Sequence, residues 1–359
     1  MNLRAIAFSE IAGWREDSHE AALAAFLVSA RSIADAPPKT RALGIDGVML
    51  QRAALSGLEL KSGRSSSACA FFERHFAPHR IDADGFITGY YEPEVAASLM
   101  PGGDFTVPLY SRPNDLVEVR PGDAPAGWDC DMRFGRLSEQ GIVPYFDRHA
   151  IEDGALAGRG LEIAWLADPV DAFFIHVQGS ARLRLTDATT LRIAFDGKSG
   201  HPYTSIGRLA VERGLLAREA ADKDGLEDWL KRHRREGRAL MCENRSFIFF
   251  RATRQNDTDG PIGAAGVPLV PGRSLAVDRT LHTFHTPVWV DVPALADGDR
   301  PGRPFRRLMV AHDTGSAIVG PARGDIFVGS GTAAGSAAGR IRHAATMITL
   351  VPKDVFGAA

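Results

Sequence analysis

The chain has 359 residues, 45% of them hydrophobic and 24% charged, which suits a globular protein of about two domains. Its 42 Lys and Arg nearly balance 44 Asp and Glu, a formal net charge of −2, so no global basic field points to nucleic acid. Three cysteines, Cys69, Cys130 and Cys242, lie far apart without C-x-x-C spacing. That argues against a zinc site or a disulfide framework.

The opening segment runs into Trp14, Arg15, Glu16 and Asp17 and does not read as a secretory signal. No run of about 18 apolar residues reads as a membrane span. Residues 21–33 have apolar side chains at helical spacing, and Pro37 and Pro38 end the pattern. Residues 43–60 repeat it. Residues 65–76 are a third helix candidate, with Phe71, Phe72 and Phe76 for one face and Cys69 as a buried thiol. Residues 85–95 (GFITGYYEPEV) read as a strand with a bulge or close backbone approach at Gly89. Residues 101–127 are rich in Pro, Gly and Asp and suggest a domain crossing.

Further on, residues 172–177 and 183–185 are strand candidates joined through Gln178, Gly179 and Ser180, and residues 191–195 are a third ending at Asp196-Gly197. Short strands with frequent turns suggest a small β barrel or sandwich. Residues 205–216 and 224–235 read as helices, and the basic stretch 231–238 as a solvated helix face. From Phe247 the chain is β again, with strand candidates at 247–250, 269–270, 288–292, 308–311, 325–328 and 347–351 and no helix among them. That favours a closed antiparallel-type barrel over a doubly wound sheet.

Three aspartates occupy similar settings here. Asp278 follows an apolar run, Asp313 ends an apolar strand, and Asp325 begins another. A carboxyl beside apolar strands is partly desolvated, which raises its pKa and lets it donate a proton near neutral pH. The competing reading is that each caps a turn, since Asp-Thr-Gly is good turn sequence. Gly329, Gly331 and Gly335 have the spacing G-x-G-x-x-x-G rather than that of a dinucleotide loop, so no nucleotide is expected. His282, His285 and His312 lack a Cys or Glu framework, so no metal is expected. No G-x-S-x-G elbow supports a serine hydrolase.

The stretches VPLVPGRSLAVDR and RLMVAHDTGSAIVGPARGDIFVGSG resemble the three-aspartate (3D) domain of the membrane-bound lytic transglycosylase A family. Upstream, TGYYEPE, FFIHVQGSARL, DGKSGHPYTSIGR and NRSFIFF resemble the same family, so the likeness runs from about Phe8 to Lys353. It implies a mainly β protein with N-terminal helices. A double-psi β-barrel catalytic domain would comprise residues 1–103 and 241–359, with a smaller β-barrel domain, 104–240, inserted and a groove between them. It implies cleavage of the bond between N-acetylmuramic acid and N-acetylglucosamine in peptidoglycan strands, giving a 1,6-anhydro product. Asp325 would be the catalytic acid and Asp313 and Asp278 its supports. Tyr90, Tyr91, Gln178, Gly179 and Ser180 would contact the sugar, with His176 beside them. Glu92 and Glu94 are candidate groove carboxylates on the residues alone, where family members often differ, and neither is read as catalytic. The resemblance implies no cofactor and a periplasmic, outer-membrane-associated location, and names no protein partner. A silent glycan-binding protein and a lysozyme-like hydrolase are the competing functions.

Overall fold

A computed structural model describes residues 3–60, 65–120, 124, 128, 132–253, 260–299 and 302–354; Cys130 lies outside them. After strand β1 (Leu3–Ala5) come helices α1 (His19–Ser32), α2 (Gly47–Leu58) and α3 (Ser65–His75). Asp46 Oδ1 accepts from the N–H groups of Val48 and Met49 at 2.8 and 3.0 Å, satisfying donors that a helix start leaves orphaned. Strands β2 (Phe76–Ile81), β3 (Gly85–Glu92), β4 (Glu94–Ser98), β5 (Val107–Tyr110), β6 (Leu116–Glu118), β7 (Phe134–Ser138) and β8 (Gly141–Val143) follow. Then come the single turn α4 (Arg148–Ala150), β9 (Glu162–Leu166), α5 (Pro169–Gln178), β10 (Ser180–Leu185) and β11 (Thr190–Lys198). Helices α6 (Ile206–Glu212), α7 (Lys223–Arg232) and α8 (Arg234–Cys242) lead to β12 (Ile248–Thr253). The chain finishes with β13 (Ser274–Val277), β14 (Pro287–Ala296), β15 (Pro304–Asp313), β16 (Arg323–Ser330), α9 (Thr332–Gly339) and β17 (Arg342–Pro352). Among the described residues no helix is long and apolar enough to cross a membrane.

Two compact units form. The first comprises residues 1–91, 258–329 and 337–359, and the second 92–257 and 330–336. In the first, strands β17, β14, β15, β13, β16 and β3 pair in that order, and β3 pairs back to β17. Six strands therefore close into a ring without free edges, and β2 and β1 extend the sheet from β17. Strands β13 and β15 run parallel, while β13–β16, β14–β15, β14–β17 and β3–β17 are antiparallel. Alternation along each strand builds two cores. Val288, Val290, Val292, Met309, Ala311 and Met347 pack on one side with Ile87 and Ile326. Trp289, Leu308, Val310, Ile348 and Leu350 face the other way, onto Phe26, Phe71 and Phe72 of the helical layer and Phe76 at the start of β2. Both faces are buried, so these strands read as continuous apolar runs rather than alternating ones. Gly89 is where backbones meet: a Cβ there would lie 3.0 Å from the Ala338 backbone and 2.9 Å from Ile341 Cδ1.

Asp17, just before α1, ties the N-terminal segment to the ring. Its carboxylate accepts from Arg273 Nη1 and Nη2 at 2.7 and 2.9 Å and from the Leu308 N–H at 2.9 Å, all buried. A buried charge pair of this kind is tolerable because each oxygen is hydrogen-bonded.

The second unit holds a six-stranded sheet in the order β12-β11-β10-β4-β9-β5 and a small sheet β6-β7-β8. A parallel bridge between Ser111 and Phe250 joins the two edges of the larger sheet. Residues 172–177, read as a strand from sequence, are helical. Asp168 caps the first turn by accepting from the Val170 N–H at 2.9 Å, Pro169 supplies a pre-set φ, and Gly179 closes the helix at φ 79°. The helix is apolar on two sides: Ala172 and Ile175 pack on the sheet, while Val170, Phe173 and Phe174 pack on α6–α8. A short helix buried on most sides has no period that separates it from a buried strand. Two further departures lie near the C-terminus. Residues 269–270 form no strand, which starts instead at Ser274, and α9 occupies a stretch read as helix-free because its Ala and Gly residues give no apolar stripe.

Candidate active site

Strand register in the first unit brings two acids together. Ala276 of β13 is paired with Asp313 on β15 and with Asp325 on β16. Paired residues on neighbouring strands point to one face, so both carboxyls stand on the same side, with a methyl group between them. The same spacing rule adds their neighbours. Arg323 precedes Asp325 by two residues on β16, and Thr88 and Tyr90 are two apart on β3, so each pair shares a face.

The bonds follow from that placement. Thr88 Oγ1 donates to Asp325 Oδ1 at 2.5 Å, and Arg323 Nη2 donates to Thr88 Oγ1 at 2.7 Å. Tyr90 OH donates to Asp313 Oδ2 at 2.9 Å, and the Ala264 N–H donates to Asp313 Oδ1 at 2.9 Å. Among the described residues Asp313 thus accepts on both oxygens and Asp325 on one. The Tyr90 ring lies 5.4 Å from that of Phe327.

These surroundings set the proton chemistry. Desolvation pushes the Asp325 pKa up to about 6, with the Thr88 hydrogen bond and the Arg323 charge opposing it and the Asp313 charge adding to it. Burial also raises the Asp313 pKa, against the donors from Ala264, Thr314 and Tyr90. Burial first and the Asp313 charge second hold the Tyr90 phenol well above its ordinary pKa, so it remains a donor. The site therefore offers one acid poised near neutrality beside a second, better-bonded carboxyl.

Asp278 stands apart from this pair. It is buried just past β13, accepting from Thr280 Oγ1 at 2.6 Å, the Thr280 N–H at 2.9 Å and the Gly320 N–H at 2.9 Å. Burial would raise its pKa, but these donors and His282 more than offset it and leave it lowered. It ties down the connection between β15 and β16. Tyr91 points away from Tyr90, as alternation requires, and is buried. Gln178, Gly179 and Ser180 form the end of α5 and the start of β10 in the second unit. A Cβ on Gly179 would meet no atom within 4 Å.

Two sequence readings need correcting. His176 does not stand at a ligand surface. It is buried, with its ring 4.2 Å from Phe247 and Nδ1 3.0 Å from Arg148 Nη1, and burial holds its pKa well below the usual value. Glu92 is no groove carboxylate. It is wholly buried, paired with Arg182 Nε at 3.0 Å and Arg192 Nε at 2.8 Å, and it accepts from Ser330 Oγ at 2.7 Å. Glu94, by contrast, forms a more exposed pair with Arg184 at 3.1 Å. The histidines near the aspartates are packed inside: His312 lies between Ser29 Oγ and Ser274 Oγ at 2.8 Å each, and His282 Nε2 meets the Pro321 carbonyl at 2.8 Å. Among the described residues no cluster of three or more His, Cys, Asp or Glu could hold a metal ion. Thr88, Arg323 and Ala264 are site residues that the sequence reading missed. The first two were reachable by counting two residues from Tyr90 and from Asp325.

Strands β13 to β17, five of the six in the ring and the ones that carry both aspartates, make up the part of the chain that matches the 3D domain, over residues 273–351. Residues 86–251 match the MltA specific insert domain. The crystal structure of membrane-bound lytic murein transglycosylase from Agrobacterium tumefaciens is similar at 42% identity and a TM-score of 0.92, over 98% of both chains. The chain belongs to the membrane-bound lytic murein transglycosylase A family. It is 34% identical over 260 residues to membrane-bound lytic murein transglycosylase A of Vibrio cholerae, which covers 71% of this chain and 62% of that protein. The chain thus spans somewhat under two thirds of that curated relative. The crystal structure of Escherichia coli MltA with bound chitohexaose is similar at 25% identity and a TM-score of 0.70, over 98% of this chain and 94% of that one.

Proposed function

We propose that the chain is a peptidoglycan lytic transglycosylase that cuts the β-1,4 bond between N-acetylmuramic acid and N-acetylglucosamine, with Asp325 as its only acid–base group. The observation that carries this is the unequal bonding of the two acids. Asp325 is poised near pH 6 with one oxygen engaged, while both Asp313 oxygens are occupied by internal donors. Retaining and inverting hydrolases need two working carboxyls, about 5–5.5 Å or about 6.5–9.5 Å apart. Here the second carboxyl is committed elsewhere. An intramolecular nucleophile removes the need for it, because the attacking group is already held in place.

The steps balance on one side chain. Asp325 gives its proton to the glycosidic oxygen as the bond to the anomeric carbon breaks. The C6 hydroxyl of the muramic sugar attacks that carbon, and its proton passes to the Asp325 carboxylate, restoring the acid. No water is consumed, and the reaction as written needs no cofactor. Asp313 supports Asp325 by its charge, and Asp278 by fixing the β15–β16 connection. Tyr90, Gln178, Gly179 and Ser180 are proposed to contact the glycan, and Tyr91 to support that face from the buried side of β3. The chitohexaose bound by the E. coli relative supports a β-1,4 glycan as ligand.

The barrel is proposed to be of the double-psi kind, supported by six strands in a closed ring with one parallel pair. Residues 104–240 are proposed as the inserted β domain within a discontinuous catalytic domain of residues 1–103 and 241–359. A unit formed mainly from one central segment supports an insertion. The membrane-bound character in the relatives' names supports a periplasmic, outer-membrane-associated place.

Mass spectrometry of purified peptidoglycan digested by the protein tests the reading. Anhydro-muropeptides are the expected products. Products each gaining a water at the cut would make it a hydrolase, and no release at any pH would leave a binding protein.

A further inference from the structure

The hydroxyl of Thr88 carries a single proton, and its two neighbours decide where that proton goes. A guanidinium has only donors. Arg323 Nη2, 2.7 Å away, therefore leaves Thr88 Oγ1 no role toward it but acceptor. The Thr88 proton is then committed to Asp325 Oδ1 at 2.5 Å. An oxygen that accepts that proton is poorly placed to carry one itself. Among the described residues no donor reaches Asp325 Oδ2.

We propose that Arg323 is a positioning residue for the acid: acting through Thr88, it fixes Asp325 Oδ1 as an acceptor and assigns the transferable proton to Oδ2. This rests on the reading of Asp325 as the proton donor. Arg323 is itself held in place. Its Nη1 donates to the Phe86 carbonyl at 3.3 Å and to the Gly324 carbonyl, and its guanidinium lies 5.6 Å from the Phe86 ring centre. Phe86, Thr88 and Tyr90 stand on one face of β3, so a single strand braces the arginine, bonds one acid and bonds the other.

The other charged groups near Asp325 are few. Tyr90 is neutral, Asp313 lies across Ala276, and β13 supplies only that alanine. On β17, Arg342 is the register partner of Thr88, but it is exposed and its side chain makes no hydrogen bond to Thr88 among the described residues. It serves as a control for the loss of one positive charge nearby.

The experiment is a carbon-13 NMR titration of the Asp325 carboxyl in the full chain, assigned with Asp325→Asn, alongside kcat/KM on peptidoglycan across pH. Removing either member of the relay weakens support of the carboxylate, so Thr88→Val and Arg323→Met should both titrate at higher pH than the wild type. The effect of Arg323→Met should be smaller in a Thr88→Val background than alone, because the two act in series. Thr88→Val should lose about tenfold or more in kcat with KM little moved, the scale of one hydrogen bond to a charged group. Thr88→Ser should recover most of that loss, and Arg342→Met should titrate with the wild type. The proposal is overturned if Arg323→Met leaves the titration unmoved, if Arg342→Met moves it as far, or if Arg323→Met acts equally in both backgrounds. Folding is checked by the spectrum itself. If Asp325→Asn keeps its turnover, the acid assignment fails, while the titrations still judge the relay.

Discussion

A carboxyl raised to about 6 has consequences that two simple titrations can read. Asp325 must start protonated to act as the acid, so kcat/KM should fall as pH rises through about 6. A flat profile to pH 8 would contradict the assignment. The same shift costs stability. With the folded pKa above the unfolded value of 3.8, the native state binds more protons than the unfolded chain between about 4 and 6, so stability falls as pH rises through that window. Asp325→Asn removes the ionisable group. It should be more stable than the wild type at pH 8, on the order of 1–2 kcal/mol after discounting for partial exposure, and no more stable below pH 4. Urea unfolding at the two pH values checks both. In the sequence, Asp313 and Asp325 were legible as acids at strand ends. Asp278 had the same look, yet it caps a turn and pins Gly320. Nothing local separates the three; the register of β13 against β15 and β16 does.

Among the elements, the clearest dependence is that of the N-terminal segment on the Asp17–Arg273 pair. Replacing Asp17 by Ala leaves Arg273 buried without its partner and the Leu308 N–H without an acceptor. It should cost about 3–5 kcal/mol, seen as a lowered urea midpoint. Glu92→Ala should cost a similar amount, because Arg192 is buried against it. Neither change touches the acids, so the Asp325 titration should stay near pH 6 in both; a large shift there would mean the pairs are coupled to the site. The helices α1, α2 and α3 and most C-terminal strands were legible because their apolar spacing or β-branched content is long enough to read. Helix α5 was not: its apolar run is short, buried on two sides and distinguishable only by its Asp168-Pro169 start and Gly179 end. Helix α9 carries no apolar stripe at all, being Thr, Ala, Gly and Ser.

For the whole molecule, a closed barrel was foreseeable from short strands separated by Gly and Pro, but its closure was not. Strand β3 joins the ring by pairing with β16 and β17, more than 200 residues later, and no local signal encodes that partner. The ring is also what gives Asp325 its surroundings, since Thr88 comes from β3 and Asp313 from β15. On the proposed reading, these two unequal acids on one ring face leave a single group to give and retrieve the proton. The most direct test is the rate at which folded Asp325→Asn releases anhydro-muropeptides from purified peptidoglycan. A fall of about a thousandfold or more, with the urea midpoint kept, is the predicted result. Retention of most of the wild-type rate would contradict it, and would place the chemistry on another residue.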